Sequence, residues 1–325
     1  MNVAIIGCGL IGRKRADALP PNVRLIGCFD ANFDASAAFS SDYNCKQYNL
    51  IQDLLNEPNL DFVIIATRHD SLASITLLAL EAGKHVFVEK PGALNHIELK
   101  MVSEKALKKE LLVHIGYNHR FHPALSQACK IFEAGTIGKI MFLRARYGHG
   151  GRVGYDKEWR ADKSKSGGGE LIDQGTHLID LAQCFMGKME LDYAATPTYF
   201  WNMAVEDNAF MSLKNANGKI AFLHASCTEW KNMFSLEVYG ETGKIEITGL
   251  GRSYGAETLT LHKMKPELGP PDSETWVFPE FDSSWALEMS EYVQDLRTGS
   301  RSSNNLASSL EVLRLISEIY ARTNR

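Results

Sequence analysis

The chain has 325 residues, 45% of them hydrophobic and 23% charged, with a formal net charge of −4. That length fits two domains of a soluble globular protein. The acidic balance is not a nucleic-acid footprint, and no apolar run approaches the roughly 20 residues of a membrane span. Six widely spaced cysteines, none in a Cys-x-x-Cys pair, read as reduced thiols in a cytoplasmic protein rather than as a disulfide framework or a metal site. The N-terminus has no basic or cleavage-site flank, so no secretory signal is expected.

Val3–Ile6 is a short, wholly apolar run, as a buried parallel strand is, and Gly7-Cys8-Gly9-Leu10-Ile11-Gly12 follows at once. This is G-x-G-x-x-G between a strand and a helix running to Leu19. Gly7 serves the tight turn, Gly9 a close approach of backbone to a pyrophosphate, and Gly12 the packing of helix on strand. The helix start, at Leu10 and Ile11, offers free N–H groups to phosphates. Val23–Asp30 is the second strand. Asp30, eighteen residues after Gly12, is placed to bind both ribose hydroxyls and repel a 2′-phosphate. That favours NAD over NADP. The alternation goes on through a short helix at Asn49–Asn56, a strand at Phe62–Ala66, and a helix N-capped by Ser71 and closed by Gly83. It continues through a strand at His85–Val88, a helix whose Asn95 and Glu98 form a capping box, and a strand at Leu111–Gly116. Repeated strand–helix units imply an α/β domain with a doubly wound parallel sheet over residues 1–117. Its ligand lies across the carboxyl ends of the strands. Thr67, Arg68 and His69, then Glu89 and Lys90, then Tyr117 and Asn118, follow strand ends and line that crevice.

A second domain is expected over 118–325. It starts with a helix to Ala134 and a strand at Lys139–Gly148. The Gly-rich, aromatic segment from His149 to Arg160 comes next. Arg152, Tyr155, Trp159 and Arg160 there supply donors and flat apolar faces suited to gripping sugars or anions. Two arginines point toward a negatively charged substrate such as a sugar acid or nucleotide sugar. Gly167–Asp180 follows, with a helical apolar pattern behind three glycines. Asp173 and His177 are four apart, which on a helix puts carboxylate and imidazole within reach, the pairing an acid–base centre needs. Asp180 continues that face as a weaker candidate. After Gly187 the pattern turns to period two, with a hairpin at Asn217-Gly218 and a turn at Glu241–Lys244. Amphipathic helices at Ser284–Thr298 and Asn305–Arg322 close the chain.

Ala82-Gly83-Lys84-His85-Val86-Phe87-Val88-Glu89-Lys90-Pro91 resembles a hallmark of the glucose-fructose oxidoreductase, inositol dehydrogenase and rhizopine-catabolism (Gfo/Idh/MocA) family. Gly-Gly-Gly-x-Leu-x-Asp-x-Gly-x-His-x-x-Asp, from Gly167 to Asp180, resembles its second, and the N-terminal dinucleotide loop its third. The resemblance implies a C-terminal α+β domain on a large, open, mostly antiparallel sheet, and oxidation or reduction of sugars, polyols and their derivatives with NAD(P). It maps the family lysine to Lys90, the family Asp and His to Asp173 and His177, and a position near the nicotinamide to Asn118. Thr67-Arg68-His69-Asp70-Ser71-Leu72 departs from the usual Thr-Pro-Asn-x-x-His, which weakens the case for cofactor contacts there. A sheet with helices on one face leaves the other for a partner, and a homodimer or homotetramer is the family's implication.

These residues fit hydride chemistry. His177 suits a general base oriented by Asp173, Lys90 suits the reacting oxygen or the proton relay, and either could be the immediate base. No metal is called for. The leading reading is an NAD-dependent sugar or nucleotide-sugar dehydrogenase, and an inositol-type polyol dehydrogenase is the alternative in the same class. A non-catalytic dinucleotide-binding regulator is the alternative in another class, disfavoured by intact Lys90, Asp173 and His177. A tightly held, internally recycled cofactor is a further alternative.

Overall fold

The computed structural model describes residues 1–279, 281–301 and 305–323. Its contacts fall into two compact units, Met1–Tyr117 with Trp285–Leu313, and Asn118–Ser284 with Arg314–Arg325.

The first unit alternates strand and helix: β1 (Asn2–Ile6), α1 (Leu10–Asp17), β2 (Arg24–Phe29), α2 (Phe33–Tyr43), β3 (Lys46–Gln47), α3 (Ile51–Leu55), β4 (Phe62–Ile65), α4 (His69–Glu81), β5 (His85–Glu89), α5 (His96–Lys109) and β6 (Val113–Gly116). The strands form one parallel sheet in the order β3-β2-β1-β4-β5-β6, the doubly wound arrangement with its switch point beside β1. Register decides what meets at the ligand edge. Ile6 pairs with Phe29 and Ile65, Ile65 with Val88, and Val88 with Ile115. The next residues, Gly7, Asp30, Ala66, Glu89 and Gly116, therefore share one row at the carboxyl end.

Two local expectations need correction, and one helix is unexpected. Ser71 does not cap α4. The cap position is Arg68, and the Ser71 hydroxyl donates to Thr67 Oγ1 at 2.9 Å and to the Arg68 carbonyl at 3.1 Å. Helix α2 is not expected from the sequence, because small and polar residues dominate it and apolar repeats are few. Its start is fixed instead by Asn32, whose side chain accepts from the Asp34 and Ala35 amides. In the box before α5, Asn95 accepts from the Glu98 amide as expected, but Glu98 returns its carboxylate to the Leu94 amide.

The second unit holds α6 (Pro123–Glu133), β7 (Ile140–Gly148), α7 (Lys163–Ser166), α8 (Thr176–Met186), β8 (Met189–Ala195), β9 (Asn208–Asn215), β10 (Ile220–Ser226), β11 (Met233–Gly240), β12 (Gly243–Thr248), β13 (Thr258–Lys263) and β14 (Asp272–Val277). These eight strands make one sheet in the order β14-β13-β12-β11-β7-β10-β9-β8. Every pairing is antiparallel except β7 with β10. Strict alternation gives the sheet two faces. Leu143, Ala145, Ala221, Leu223, Leu236, Val238, Ile245 and Ile247 are buried, on the side that receives α6 and α8. The other side carries Phe142, Arg144, Phe210, Phe222 and Tyr193. The β9–β10 connection is longer than a two-residue turn: Asn215 Oδ1 accepts from the Asn217 and Lys219 amides, and Gly218 takes the positive φ.

The chain closes with α9 (Ser284–Thr298) and α10 (Leu306–Thr323). The sequence assigns everything after Tyr117 to the second domain. The contacts instead group Trp285–Leu313 with the first unit, because Met289, Tyr292 and Val293 join the core of Val3, Ile5, Phe39, Phe62, Ile64 and Phe87.

Candidate functional site

In the first unit the phosphate loop is shaped as its glycines require. Gly7 has φ +100°, and a Cβ there would lie 2.4 Å from the Ala66 carbonyl oxygen. A Cβ on Gly12 would lie 1.9 Å from the Gly7 carbonyl oxygen, whereas one on Gly9 would meet nothing within 4 Å. Gly9 is the N-cap of α1 with no side-chain cap, so the first amides of that helix are left to a ligand. Leu10 beside it is 71% exposed, and Ile11 is half-buried. Asp30 ends the second strand of the fingerprint. Its carboxylate accepts from the Cys8 amide at 2.7 Å and the Asn32 amide at 2.8 Å. These bonds fix the carboxylate against the loop at the position where a ribose is bound in this fold. The open helix start, the clear approach over Gly9 and the fixed acid all fit a dinucleotide.

Along the same edge, Thr67 Oγ1 accepts from Ser71, Arg68 pairs with Asp70 at 3.0 Å, and His69 is buried in the first turn of α4. Glu89 closes β5 and is also buried. It accepts from Arg15 Nε at 2.6 Å, and Arg15 Nη1 reaches Glu288 at 2.8 Å. Glu288 also takes His114 Nε2 at 3.1 Å. The Arg15 guanidinium lies between the rings of Phe87 and Trp285, 4.4 and 4.3 Å from their centroids. Burial pushes the Glu89 carboxyl up against the pull of Arg15. Burial also opposes ionisation of Glu288, but Arg15 and His114 bring that carboxyl below its usual range. Glu89 is thus an anchor for the turn that follows, in which the Gly92 amide bonds the Glu89 carbonyl at 3.0 Å. Lys90 sits half-buried in that turn, ahead of a cis peptide to Pro91.

In the second unit the Gly167–Asp180 stretch is not one regular helix. Leu171–Gly175 forms a single π turn, and α8 starts at Thr176. Such turns insert a residue and re-aim the side chains around them. The glycines before it permit close contact. A Cβ on Gly168 would lie 1.9 Å from the Tyr320 hydroxyl, and one on Gly169 equally close to the Glu206 carbonyl. Glu206, which no sequence pattern singles out, takes the cap: Oε1 accepts from the Gly169 and Leu171 amides and from Tyr320.

Asp173 and His177 are both buried. The Asp173 carboxylate accepts from Arg160 Nε at 2.9 Å. Burial opposes the Arg160 charge, but Asp173 more than offsets this and raises its pKa. The Arg160 guanidinium also lies 4.5 Å from the Trp159 ring centroid. Tyr155 is buried and donates to Glu170 Oε1 at 2.8 Å, while Arg152 is exposed and pairs with Glu158 at 2.6 Å. Asp180 is taken up by Arg120, whose Nε donates to it at 2.7 Å; the pair ties the turn Asn118–Phe121 to α8. Asn118 donates to Ser284 Oγ at 2.8 Å.

Several residues around His177 are absent from the sequence expectation. The His119 ring stacks on it, Tyr147 from β7 stands edge-on to both, and Tyr254 lies 5.4 Å from Tyr147. Burial, with Tyr254 beside it, drives the Tyr147 hydroxyl well above its ordinary range. His149 and Glu170 add an imidazole–carboxylate pair at 3.6 Å. Only the His-x-x-His spacing of His119 and His122, just past the last parallel strand, offers a signal in the sequence. The described residues hold no cluster of His, Cys, Asp or Glu suited to a metal ion.

A parallel sheet with an open dinucleotide loop, joined in one chain to a unit that buries Asp173 and His177, is the arrangement of a dinucleotide-dependent oxidoreductase. Comparison with known proteins narrows the class. The family model described as "Oxidoreductase family, NAD-binding Rossmann fold" matches residues 1–117, and the "GFO/IDH/MocA C-terminal domain" model matches 125–246. The chain belongs to the Gfo/Idh/MocA oxidoreductase family. Levoglucosan dehydrogenase of Pseudarthrobacter phenanthrenivorans is 26% identical over 287 residues, 75% of this chain and 73% of that protein. The NAD(+)-dependent scyllo-inositol 2-dehydrogenase of Bacillus subtilis is 25% identical over 91% of this chain and 86% of its own length. Among solved structures, a levoglucosan dehydrogenase in complex with NADH and levoglucosan superposes with a TM-score of 0.89 at 23% identity, covering 100% of this chain and 97% of that one. A 3-ketoreductase from Actinomadura kijaniata in complex with NADP and TDP-benzene superposes at 0.86 and 21% identity, covering 99% and 97%.

Proposed function

We propose that this protein is an NAD-dependent dehydrogenase whose substrate is a hydroxyl-bearing carbon of a sugar or sugar derivative, sugar acids and nucleotide sugars included. The observation that carries the reading is the coexistence of an open phosphate loop and a buried Asp173–Arg160, His177 centre in a chain of this family. NAD, held by Gly7, Gly9, Leu10, Ile11, Gly12 and Asp30 with further contacts from Thr67, Arg68, His69, Glu89 and Asn118, supplies the hydride acceptor. The protein's own residues handle the proton. His177 takes it from the substrate hydroxyl as the carbonyl forms, and returns it in the reverse direction. Asp173 supports the charged imidazole, and Arg160 fixes Asp173. The Lys90 ammonium holds the reacting oxygen by a hydrogen bond. Exposed Arg152 and half-exposed Trp159 grip the substrate, while Tyr155 and Arg160 brace the carboxylates behind it. NAD is preferred to NADP because a 2′-phosphate at Asp30 meets a fixed carboxylate.

A polyol such as an inositol is the second reading, supported by the inositol dehydrogenase relative, which aligns over most of both chains. We assign the protein to the cytoplasm, in keeping with six free cysteines, and to a homodimer or homotetramer built through the uncovered sheet face.

The test is NADH formation or loss against a panel of sugars, sugar acids, inositols and nucleotide sugars, with Lys90→Ala and His177→Ala in parallel. The wild type turns over at least one of them. Both variants still bind NADH, and each loses about 10²–10⁴-fold in turnover. Near-wild-type turnover in both sinks the catalytic assignment. NADH binding with no turnover on any substrate favours a regulator.

A further inference from the structure

His177 and His119 are both buried and packed ring on ring, with centroids 3.7 Å apart and planes tilted by 33°. His119 comes from the turn Asn118–Phe121, which is pinned on both sides. Asn118 is held by Ser284, whose amide and hydroxyl bond Asp282, and Arg120 is held by Asp180 of α8. Tyr147 stands edge-on to His119 at 4.8 Å and to His177 at 5.9 Å, and the Phe234 ring of β11 lies 6.1 Å from that of His119. A ring so enclosed leaves its stacked partner little freedom to turn out of plane.

The second consequence of the stack is electrostatic. A neutral π face tolerates, and even favours, a cation against it, but two imidazolium rings at this separation repel. The charged groups around them are largely engaged with one another: Asp173 with Arg160, Asp180 with Arg120, and Glu170 with His149. His122, edge-on to His119 at 5.6 Å, has its own carboxylates in Glu257 at 2.9 Å and Asp282 at 3.9 Å. Tyr147 and Tyr254 bring hydroxyls, not charges. At 3.7 Å between centroids a charge on one ring opposes a charge on the other, so protonation of either disfavours protonation of its neighbour.

We propose that His119 is a positioning residue for His177: its ring sets the plane of the catalytic imidazole, and the pair holds one proton at a time. His177 accepts the hydroxyl proton only while His119 is neutral, and that proton must leave before the next turnover. The inference rests on the reading of His177 as proton acceptor.

Two measurements test it. In imidazole NMR titrations of the whole protein, His119 and His177 each show two inflections, as coupled groups do, and His177 in His119→Phe shows one. In steady-state kinetics, His119→Ala lowers kcat about tenfold to a hundredfold with KM little changed. His119→Phe restores most of the loss because it keeps the stacked ring, and moves the acid limb of the kcat/KM profile. Retained NADH binding in both variants certifies the fold. A single wild-type inflection for His177 that matches the His119→Phe curve overturns the coupling, and wild-type kcat in His119→Ala overturns the positioning. Failure of the underlying reading looks different: it is His177→Ala that keeps its turnover, whatever His119 does.

Discussion

Gly9 and Gly12 differ in what a methyl group would meet, and this separates ligand approach from packing. Gly12→Ala drives a Cβ into the Gly7 carbonyl, so it should cost about 2 kcal/mol or more of stability as well as cofactor binding. Gly9→Ala has open space and an ordinary φ of −75°. It should leave the thermal midpoint unchanged and weaken NADH binding at least about tenfold, or about 1.4 kcal/mol. Thermal melts beside NADH fluorescence titrations check the pair; equal melting losses in both variants would refute the distinction. These roles are readable in the sequence because G-x-G-x-x-G between a strand and a helix gives each glycine its own backbone task. Asp30 is readable too, but not its tie to the Cys8 amide. Around His177 the sequence offers Asp173, and His119 only as one half of a His-x-x-His pair. The stacked His119, the edge-on Tyr147 and the capping Glu206 arrive from separate segments, and no local spacing encodes such meetings.

At the scale of elements, strands and long amphipathic helices are legible because their burial is periodic. Helix α2 escapes notice because Asn32 sets its start with little help from an apolar stripe, and the π turn does so because the sequence period does not announce an inserted residue. The segment Tyr199–Trp201 shows how one side chain can stand in for regular structure. Asp207 accepts the amides of Tyr199, Phe200 and Trp201 at 2.7–3.0 Å, and the Trp201 ring lies where a Cβ on Gly151 would strike it, under the loop that carries Arg152 and Tyr155. Burial pushes the Asp207 carboxyl up, but the amides of Phe200 and Tyr199, with Asn208 and Trp201, more than reverse this and hold it below 3.8. A depressed carboxyl contributes stability that is whole above 3.8 and is lost as pH falls through the lower folded value. Asp207→Asn should therefore cost about 2 kcal/mol at neutral pH. Its deficit should shrink as pH drops below 3.8. Urea unfolding across that range checks it, and a deficit that does not vary with pH would contradict the account.

For the whole molecule, the sequence indicates two kinds of sheet but not where α9 belongs, since an apolar stripe reports that a helix is buried and not against what. The other face of the eight-stranded sheet carries stacked pairs, Phe142 on Tyr239 and Phe210 on His224, and a groove of about 530 Å³ lined by Tyr193, Phe210, Phe222 and His224 among others. This exposed aromatic surface is what supports the proposed homo-oligomer. The wild type should run as a dimer or tetramer by light scattering, and Phe222→Glu should lower that mass; a wild type with the mass of one chain would rule the interface out. The buried salt link of Arg15 has a different reach. One of its two carboxylates is Glu89, and the other, Glu288, lies in α9, far along the chain. On the ribosome, the cofactor domain is begun first and finished late. Until α9 emerges, Arg15 has one acid where it needs two, and Phe62 and Phe87 lack Tyr292 as a cover. The second unit waits as well, because Glu206 receives the Tyr320 hydroxyl only once α10 has followed. The NAD domain therefore cannot be completed until nearly all of the second unit has been translated, and its nascent sheet carries an open apolar face in need of protection through that interval.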